Sequence, residues 1–308
     1  MTIAHRRKVL RTVLLILSLP VVVALVETAS FRIAHRSNGT LLSSGEQREY
    51  LLHVPASYDR TRPTALVISL HGAALWPAAQ MKLSQWNDEA ERQGFIVVYP
   101  SGLKGKGPRI WRAGGDAGRA KDVRFISELI DTISAAYSVD AARIYANGLS
   151  NGGGMSFVLS CTLSDRIAAV GMVGAAHLQP WKSCTDPRPV PMISFHGTAD
   201  RAAPYLGGKS RVAVRAFPSI PGWTAASARR NGCAVNPVES AVAADVVRIE
   251  YRNCTDDADV VLYRIDGGGH TWPGGEPLPK WLAGTTSHGV NATAEMWKFF
   301  WEHPLTVK

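Results

Sequence analysis

The 308-residue chain is 46% hydrophobic and 19% charged, a balance that excludes a disordered polymer or a fibre and fits a globular protein. Its formal net charge of +9 is scattered in short clusters (Arg6-Arg7-Lys8, Lys104 and Lys106, Arg119 and Lys121, Arg229-Arg230). No aromatic-interleaved basic stripe accompanies them, which argues against nucleic acid as a partner.

Residues 13–26 are apolar and follow His5-Arg6-Arg7-Lys8 and Arg11. A basic segment before an apolar run of that length predicts a signal peptide over residues 1–30. Glu27-Thr28-Ala29-Ser30 offers small residues but no A-x-A cleavage pattern, so an uncleaved membrane anchor is the alternative. Both readings place residues 31–308, taken as one catalytic domain, outside the cytoplasm: secreted or periplasmic, with membrane contact only through the anchor. Residues 31–48 are polar and read as a lead-in arm. From residue 49 onward, strands and helices alternate. Strands are predicted over 49–54, in TALVISL up to Leu70, in FIVVYP (95–100) and in ARIYAN (142–147). More follow in AAVGMVG (168–174), VPMISFHG (190–197) and DVVLYRI (259–265). Helical periodicity marks 78–93, 120–137, the stretch from Ser156 and the closing segment 291–303. Continuous apolar strands separated by helices predict a mostly parallel sheet covered by helices on both faces. The long loops 101–120, 201–222 and 273–290 then fall where such sheets build their sites.

Four cysteines, Cys161, Cys184, Cys233 and Cys254, stand beyond the export signal and read as two disulfides. Three connectivities are open; sequential pairing, Cys161–Cys184 and Cys233–Cys254, is the one expected. No C-x-x-C pair occurs, so neither redox nor zinc chemistry is supported, and neither metal nor cofactor is expected. Asp256, Asp257 and Asp259 are spaced as a polar turn rather than a calcium loop.

The segment YANGLSNGGGM (145–155) joins a predicted buried strand to a predicted helix. Within it, Gly148-Leu149-Ser150-Asn151-Gly152 fits G-x-S-x-G, in which a serine stands on a sharp strand-to-helix turn. A phosphate loop would need Lys and Ser/Thr after its last glycine, but Met155 and Ser156 follow Gly154. A serine nucleophile needs a base, and the base an orienting acid, in the chain order Ser, Asp/Glu, His. Asp200 stands just past the strand PMISFHG, and His270 lies in the glycine-rich loop after DVVLYRI. Asp266 is the second choice of acid. His196 reads as a packed histidine, and His288 and His303 flank the last helix. For the oxyanion hole, the expected donors are the N–H groups of Asn151 and Ala73, with Ala74 as the alternative to Ala73. Trp272, Trp76 and Trp111 lie in loops past predicted strand ends and are candidates for substrate contact.

These stretches, with LVISLHG, GFIVVYPSG, FHGTADRAAPY, RNGC and GGGHTWPGG, carry a resemblance across nearly the whole chain after the export segment. The chain resembles the secreted polyhydroxybutyrate depolymerase and feruloyl/acetylxylan esterase group, the carbohydrate esterase family 1-like branch of the α/β-hydrolase superfamily. The resemblance implies metal-free hydrolysis of carboxylic esters, with nucleophile, acid and base falling on Ser150, Asp200 and His270. It also supports disulfides at both cysteine pairs. The segment after His71-Gly72 departs from the pattern: AALWPAAQ replaces a stretch that is often glycine- or cysteine-rich in relatives. The expected substrate is a polyester, a feruloylated or acetylated polysaccharide, or a small ester. A catalytically silent polymer binder and a peptidase or acyltransferase with the same triad are the alternatives.

Overall fold

In a computed structural model, the residues described are 27, 30, 31, 34–103, 107–113, 117–176, 184, 188–211 and 216–306. The signal or anchor expected over 1–30 lies outside them apart from residues 27 and 30. The chain divides into two units, Met1–Ser37 and Asn38–Lys308. In the first, the His35 and Phe31 rings lie 4.4 Å apart. Among the described residues no helix is long and apolar enough to cross a membrane.

The second unit is built on one ten-stranded sheet. Its strands are β1 (Gly39–Ser43), β2 (Glu46–His53), β3 (Thr64–Leu70), β4 (Ile96–Pro100) and β5 (Val139–Leu149), then β6 (Ala169–Val173), β7 (Met192–Gly197), β8 (Val238–Ala243), β9 (Val246–Tyr251) and β10 (Val260–Ile265). They lie in the order β1-β2-β4-β3-β5-β6-β7-β10-β9-β8. The central strands from β4 to β10 pair in parallel, and their apolar runs are buried on both sides. The two strands on each flank pair antiparallel.

The flanks correct the sequence reading. The polar arm over 31–48 contains β1 and the start of β2, joined at Ser44 and Gly45, whose φ values of 52° and 76° are those of a two-residue hairpin turn. The β8–β9 hairpin was also unforeseen, because β8 is largely exposed and has no apolar run to announce it. The parallel centre itself is as expected.

The helices are α1 (Pro77–Ser84), α2 (Trp86–Gln93), α3 (Ala117–Ala136), α4 (Asn151–Ser160), α5 (Ile220–Arg230), α6 (Lys280–Ala283) and α7 (Ala292–Glu302). The single helix expected over 78–93 is two. Gln85 takes a left-handed φ of 54°, and its N–H closes α1 on Met81 O. The break drops Trp86 into the core, where its ring lies parallel to Phe300 and its Nε1–H donates to Asn147 Oδ1 at 3.0 Å. Helix α3 buries Phe125, Ile126, Leu129, Ile130 and Ile133, a single apolar stripe at helical spacing. A fully buried ion pair, Arg48–Asp122 at 3.0 Å, joins β2 to α3. The disulfides are Cys161–Cys184 and Cys233–Cys254, the sequential pairing, closing sequence separations of 23 and 21. Each loop of that size is worth about 3 kcal/mol by restricting the unfolded chain.

Candidate active site

Strands β5, β6, β7 and β10 are consecutive in the sheet and parallel, so their C-terminal ends lie side by side on one edge. That edge collects Ser150 after β5, Gly174 after β6, Asp200 after β7 and His270 after β10. Asp200 and His270, 70 positions apart in sequence, become neighbours because β8 and β9 are set to one side.

Ser150 occupies φ 53° and ψ −117°, a conformation costly for a residue with a side chain. It is held there by its own N–H, which donates to Val173 O at 2.8 Å, and by Gly154 N–H, which donates to Ser150 O at 2.9 Å. The glycines two positions away are needed for close approach. A Cβ on Gly152 would stand 2.2 Å from Leu70 O, and one on Gly148 would stand 2.5 Å from the Gly152 carbonyl carbon. The sharp turn is therefore possible only with glycine on both sides.

His270 Nδ1 lies 2.7 Å from Asp200 Oδ2. The other carboxylate oxygen, Oδ1, accepts from the N–H groups of Ala202 and Ala203, each at 2.8 Å. Burial pushes the Asp200 pKa up, but the hydrogen bond and charge of His270, with His196 and the Ala203 N–H, outweigh it and hold the carboxyl below its ordinary range. A carboxylate only accepts, so Nδ1 of His270 carries the proton and Nε2 is the basic nitrogen. The His270 loop is pinned through its N–H to Ala283 O at 2.6 Å and through Gly269 N–H to Thr285 O at 2.9 Å. Gly174, one residue past the carbonyl that holds Ser150, lies against this pair: a Cβ there would be 2.9 Å from His270 Nδ1.

The other candidates take other parts, although His196 Nε2 lies 3.6 Å from Asp200 Oδ2. Asp266 is exposed and pairs with Arg264 at 3.1 Å. His196 is buried with Nε2 2.7 Å from Ala203 O, and burial lowers its pKa, as befits a packed neutral ring. His303 Nδ1 bonds Phe299 O at the end of α7, and His288 is exposed. Asp256 and Asp257 belong to a single 3-10 turn.

On the oxyanion side, Asn151 opens α4, and Ala73 and Ala74 are exposed just beyond β3. Ala74 N–H is already committed to Arg109 O at 2.8 Å, which leaves Ala73 as the donor available to a ligand. His71 is buried. Its Nδ1–H donates to Gly72 O at 2.8 Å and its Nε2 accepts from Gly102 N–H at 3.0 Å. Burial pushes its pKa down from 6.5 to about 4. Between those values the unfolded chain binds the extra proton and the folded one does not. The contribution is therefore full above pH 6.5 and is lost as pH falls towards 4, amounting to about 3 kcal/mol. Urea denaturation between pH 7 and 4.5 is expected to show this acid loss, and His71→Gln to flatten it; an unchanged slope in the variant would assign it elsewhere.

The tryptophan assignments need correction. Trp272 and Trp111 are 0% and 1% exposed, so neither offers a face to substrate. An indole is stabilised most when its ring is buried and its N–H satisfied, and both meet that condition. Trp272 Nε1–H donates to Thr293 Oγ1 at 3.0 Å, and the Thr293 hydroxyl donates to Ser84 O at 2.5 Å, anchoring the His270 loop to α7 and α1. Trp111 Nε1–H donates to His71 O at 3.1 Å. Trp76 is half-buried at the start of α1. The exposed indole near the site is Trp281, at 86%, beside Leu282 on α6, just before the Ala283 carbonyl that holds His270. An apolar pair within a long polar loop was the sequence signal for it.

A family model described as Esterase PHB depolymerase matches residues 48–229. Feruloyl esterase B of Piromyces equi is 31% identical over 237 residues, which cover 72% of this chain and 42% of that protein. The bifunctional acetylxylan esterase/xylanase XynS20E of Neocallimastix patriciarum is 31% identical over 154 residues, 50% of this chain and 22% of that protein. The chain thus spans less than half the length of these two relatives. Feruloyl esterase D of Neurospora crassa is 27% identical over 236 residues, 74% of this chain and 75% of its own. Among solved structures, the acetyl xylan esterase from Aspergillus awamori shares the fold with a TM-score of 0.59 at 15% identity, covering 85% of this chain and 98% of that one.

Proposed function

The chain belongs to the Esterase PHB depolymerase family, within the α/β-hydrolase superfamily, and on that premise we propose that it is an exported serine carboxylic-ester hydrolase. The observation that carries the reading is the Asp200–His270 hydrogen bond, on the same sheet edge as the strained Ser150 turn. Ser150 Oγ attacks the ester carbonyl carbon as His270 Nε2 takes its proton. The carbonyl oxygen becomes an oxyanion bound by the N–H groups of Asn151 and Ala73. Collapse breaks the carbon–oxygen bond to the alcohol, which leaves with the proton from His270, and the acyl group stays on Ser150. Water, deprotonated by His270, attacks the acyl carbon; the acid departs and Ser150 regains its proton. Asp200 holds the imidazole orientation and stabilises the imidazolium throughout. No step calls for a metal or a cofactor.

Export is supported by the two disulfides, which persist in oxidising compartments. The names of the relatives favour feruloyl esters and acetylated xylan, and the family name adds hydroxybutyrate polyesters. Purified protein offered p-nitrophenyl acetate, methyl ferulate, acetylated xylan and hydroxybutyrate oligomers is expected to release acid from the simple ester and from at least one natural class. Folded protein that hydrolyses none of the four would overturn the reading.

A further inference from the structure

We propose that Trp111, gripped by the Asn151 side chain, is a strut that fixes the distance between the two halves of the oxyanion hole. Asn151 and Trp111 are thereby positioning residues through their side chains; the proposal rests on the serine-hydrolase reading above. The two donors lie on separate elements, Asn151 on α4 and Ala73 in the loop after β3. Each must come within about 2.7–3.1 Å of one oxygen, a tolerance that neither element sets alone.

The segment at Trp111 touches both elements. The Asn151 amide pairs with the Trp111 main chain in both directions: Oδ1 accepts from Trp111 N–H at 2.6 Å, and Nδ2–H donates to Trp111 O at 2.9 Å. The backbone groups fix which end of the amide is which. The indole of the same residue reaches the other wall, where Nε1–H donates to His71 O, two residues before Ala73. Its ring lies 5.3 Å from the His71 ring and parallel to Phe125. Two more bonds fasten this segment to the Ala73 loop: Ala74 N–H to Arg109 O at 2.8 Å, and Gly102 N–H to His71 Nε2 at 3.0 Å. The next residue anchors the strut to the core, since Arg112 N–H donates to Asp122 Oδ2 at 2.8 Å, and Asp122 is held by Arg48. A buried ion pair thus ends on Arg112, the neighbour of the residue that spans the two donor elements. The burial of Trp111, which removes it from substrate contact, is what lets it span them.

The test compares Asn151→Ala, which removes both amide bonds, with Trp111→Phe, which keeps an aromatic ring but removes the indole N–H together with part of the buried ring volume. Readouts are kcat and KM on p-nitrophenyl acetate and the Ki of an alkyl trifluoromethyl ketone, whose adduct with the serine places an oxyanion in the hole. Asn151→Ala is expected to lower kcat by about 10²-fold with KM within about threefold. The ketone Ki is expected to rise by the factor by which kcat/KM falls, the signature of lost transition-state binding. Trp111→Phe is expected to lose about tenfold in both, and the double variant to lose little more than Asn151→Ala alone, since the two share one strut. A role in folding alone would lower the melting temperature and leave kcat and Ki of the folded protein in place. That result, or a loss confined to KM, overturns the proposal. If Asn151→Ala fails to fold, Trp111→Phe decides. A wild type without ester turnover, or one whose turnover is unaffected by Ser150→Ala, sinks the serine-hydrolase reading itself and the strut with it; turnover that needs Ser150 but is indifferent to both variants sinks only the strut.

Discussion

Ser150→Ala is expected to lower kcat on p-nitrophenyl acetate by about 10⁴–10⁶-fold, because in the proposed reaction serine, base and acid act as one unit and the loss of the nucleophile removes covalent catalysis. The residual rate belongs to the oxyanion donors and to substrate binding, which the substitution leaves in place. KM is expected to change little for the same reason. The fold should persist: alanine meets the same cost at φ 53° as serine, and both turn-holding hydrogen bonds use the main chain. Steady-state kinetics with circular dichroism as the folding control measures this. Activity within tenfold of wild type in a folded variant would show that another group attacks the ester.

Asp200→Asn is expected to cost about 10⁴-fold in kcat while leaving the local geometry nearly intact. Asparagine keeps a carbonyl oxygen for the Ala202 and Ala203 N–H groups. It then turns an amide N–H towards His270, 2.7 Å from where the carboxylate stood. His270 Nδ1 must accept that bond, so the ring proton moves to Nε2, and the nitrogen that the proposed reaction uses as base is no longer basic. The imidazolium formed during attack also loses its counter-charge. Single-turnover measurement of acyl-enzyme formation separates this from slow product release. A variant that acylates at the wild-type rate would mean that Asp200 serves the fold and not the base.

Much of this arrangement is legible in the chain because its parts are local. The runs TALVISL and FIVVYP announce strands buried on both faces, and the glycines at 148 and 152 announce a turn too tight for side chains. The order Ser150, Asp200, His270 places each residue past a strand end. What sequence does not carry is lateral neighbourhood. That β10 lies beside β7, with the β8–β9 hairpin outside it, is a long-range pairing decision, and it alone brings His270 to Asp200. The same limit explains the tryptophans. Trp272 and Trp281 stand in one loop region nine positions apart, yet one is sealed by Thr293 from α7 and the other is left exposed among the described residues. The kink at Gln85 follows from the pull of the core on Trp86, a force absent from the helical periodicity of 78–93.

In the proposed reaction Ser150 is a nucleophile activated by His270 and Asp200. Fluorophosphonate labelling of the wild-type protein, with the adduct located by mass spectrometry, tests it most directly. A single adduct on Ser150 is expected, absent in Ser150→Ala and formed far more slowly in His270→Ala. Ester hydrolysis that persists with no adduct on Ser150, or with the adduct on another residue, would contradict it.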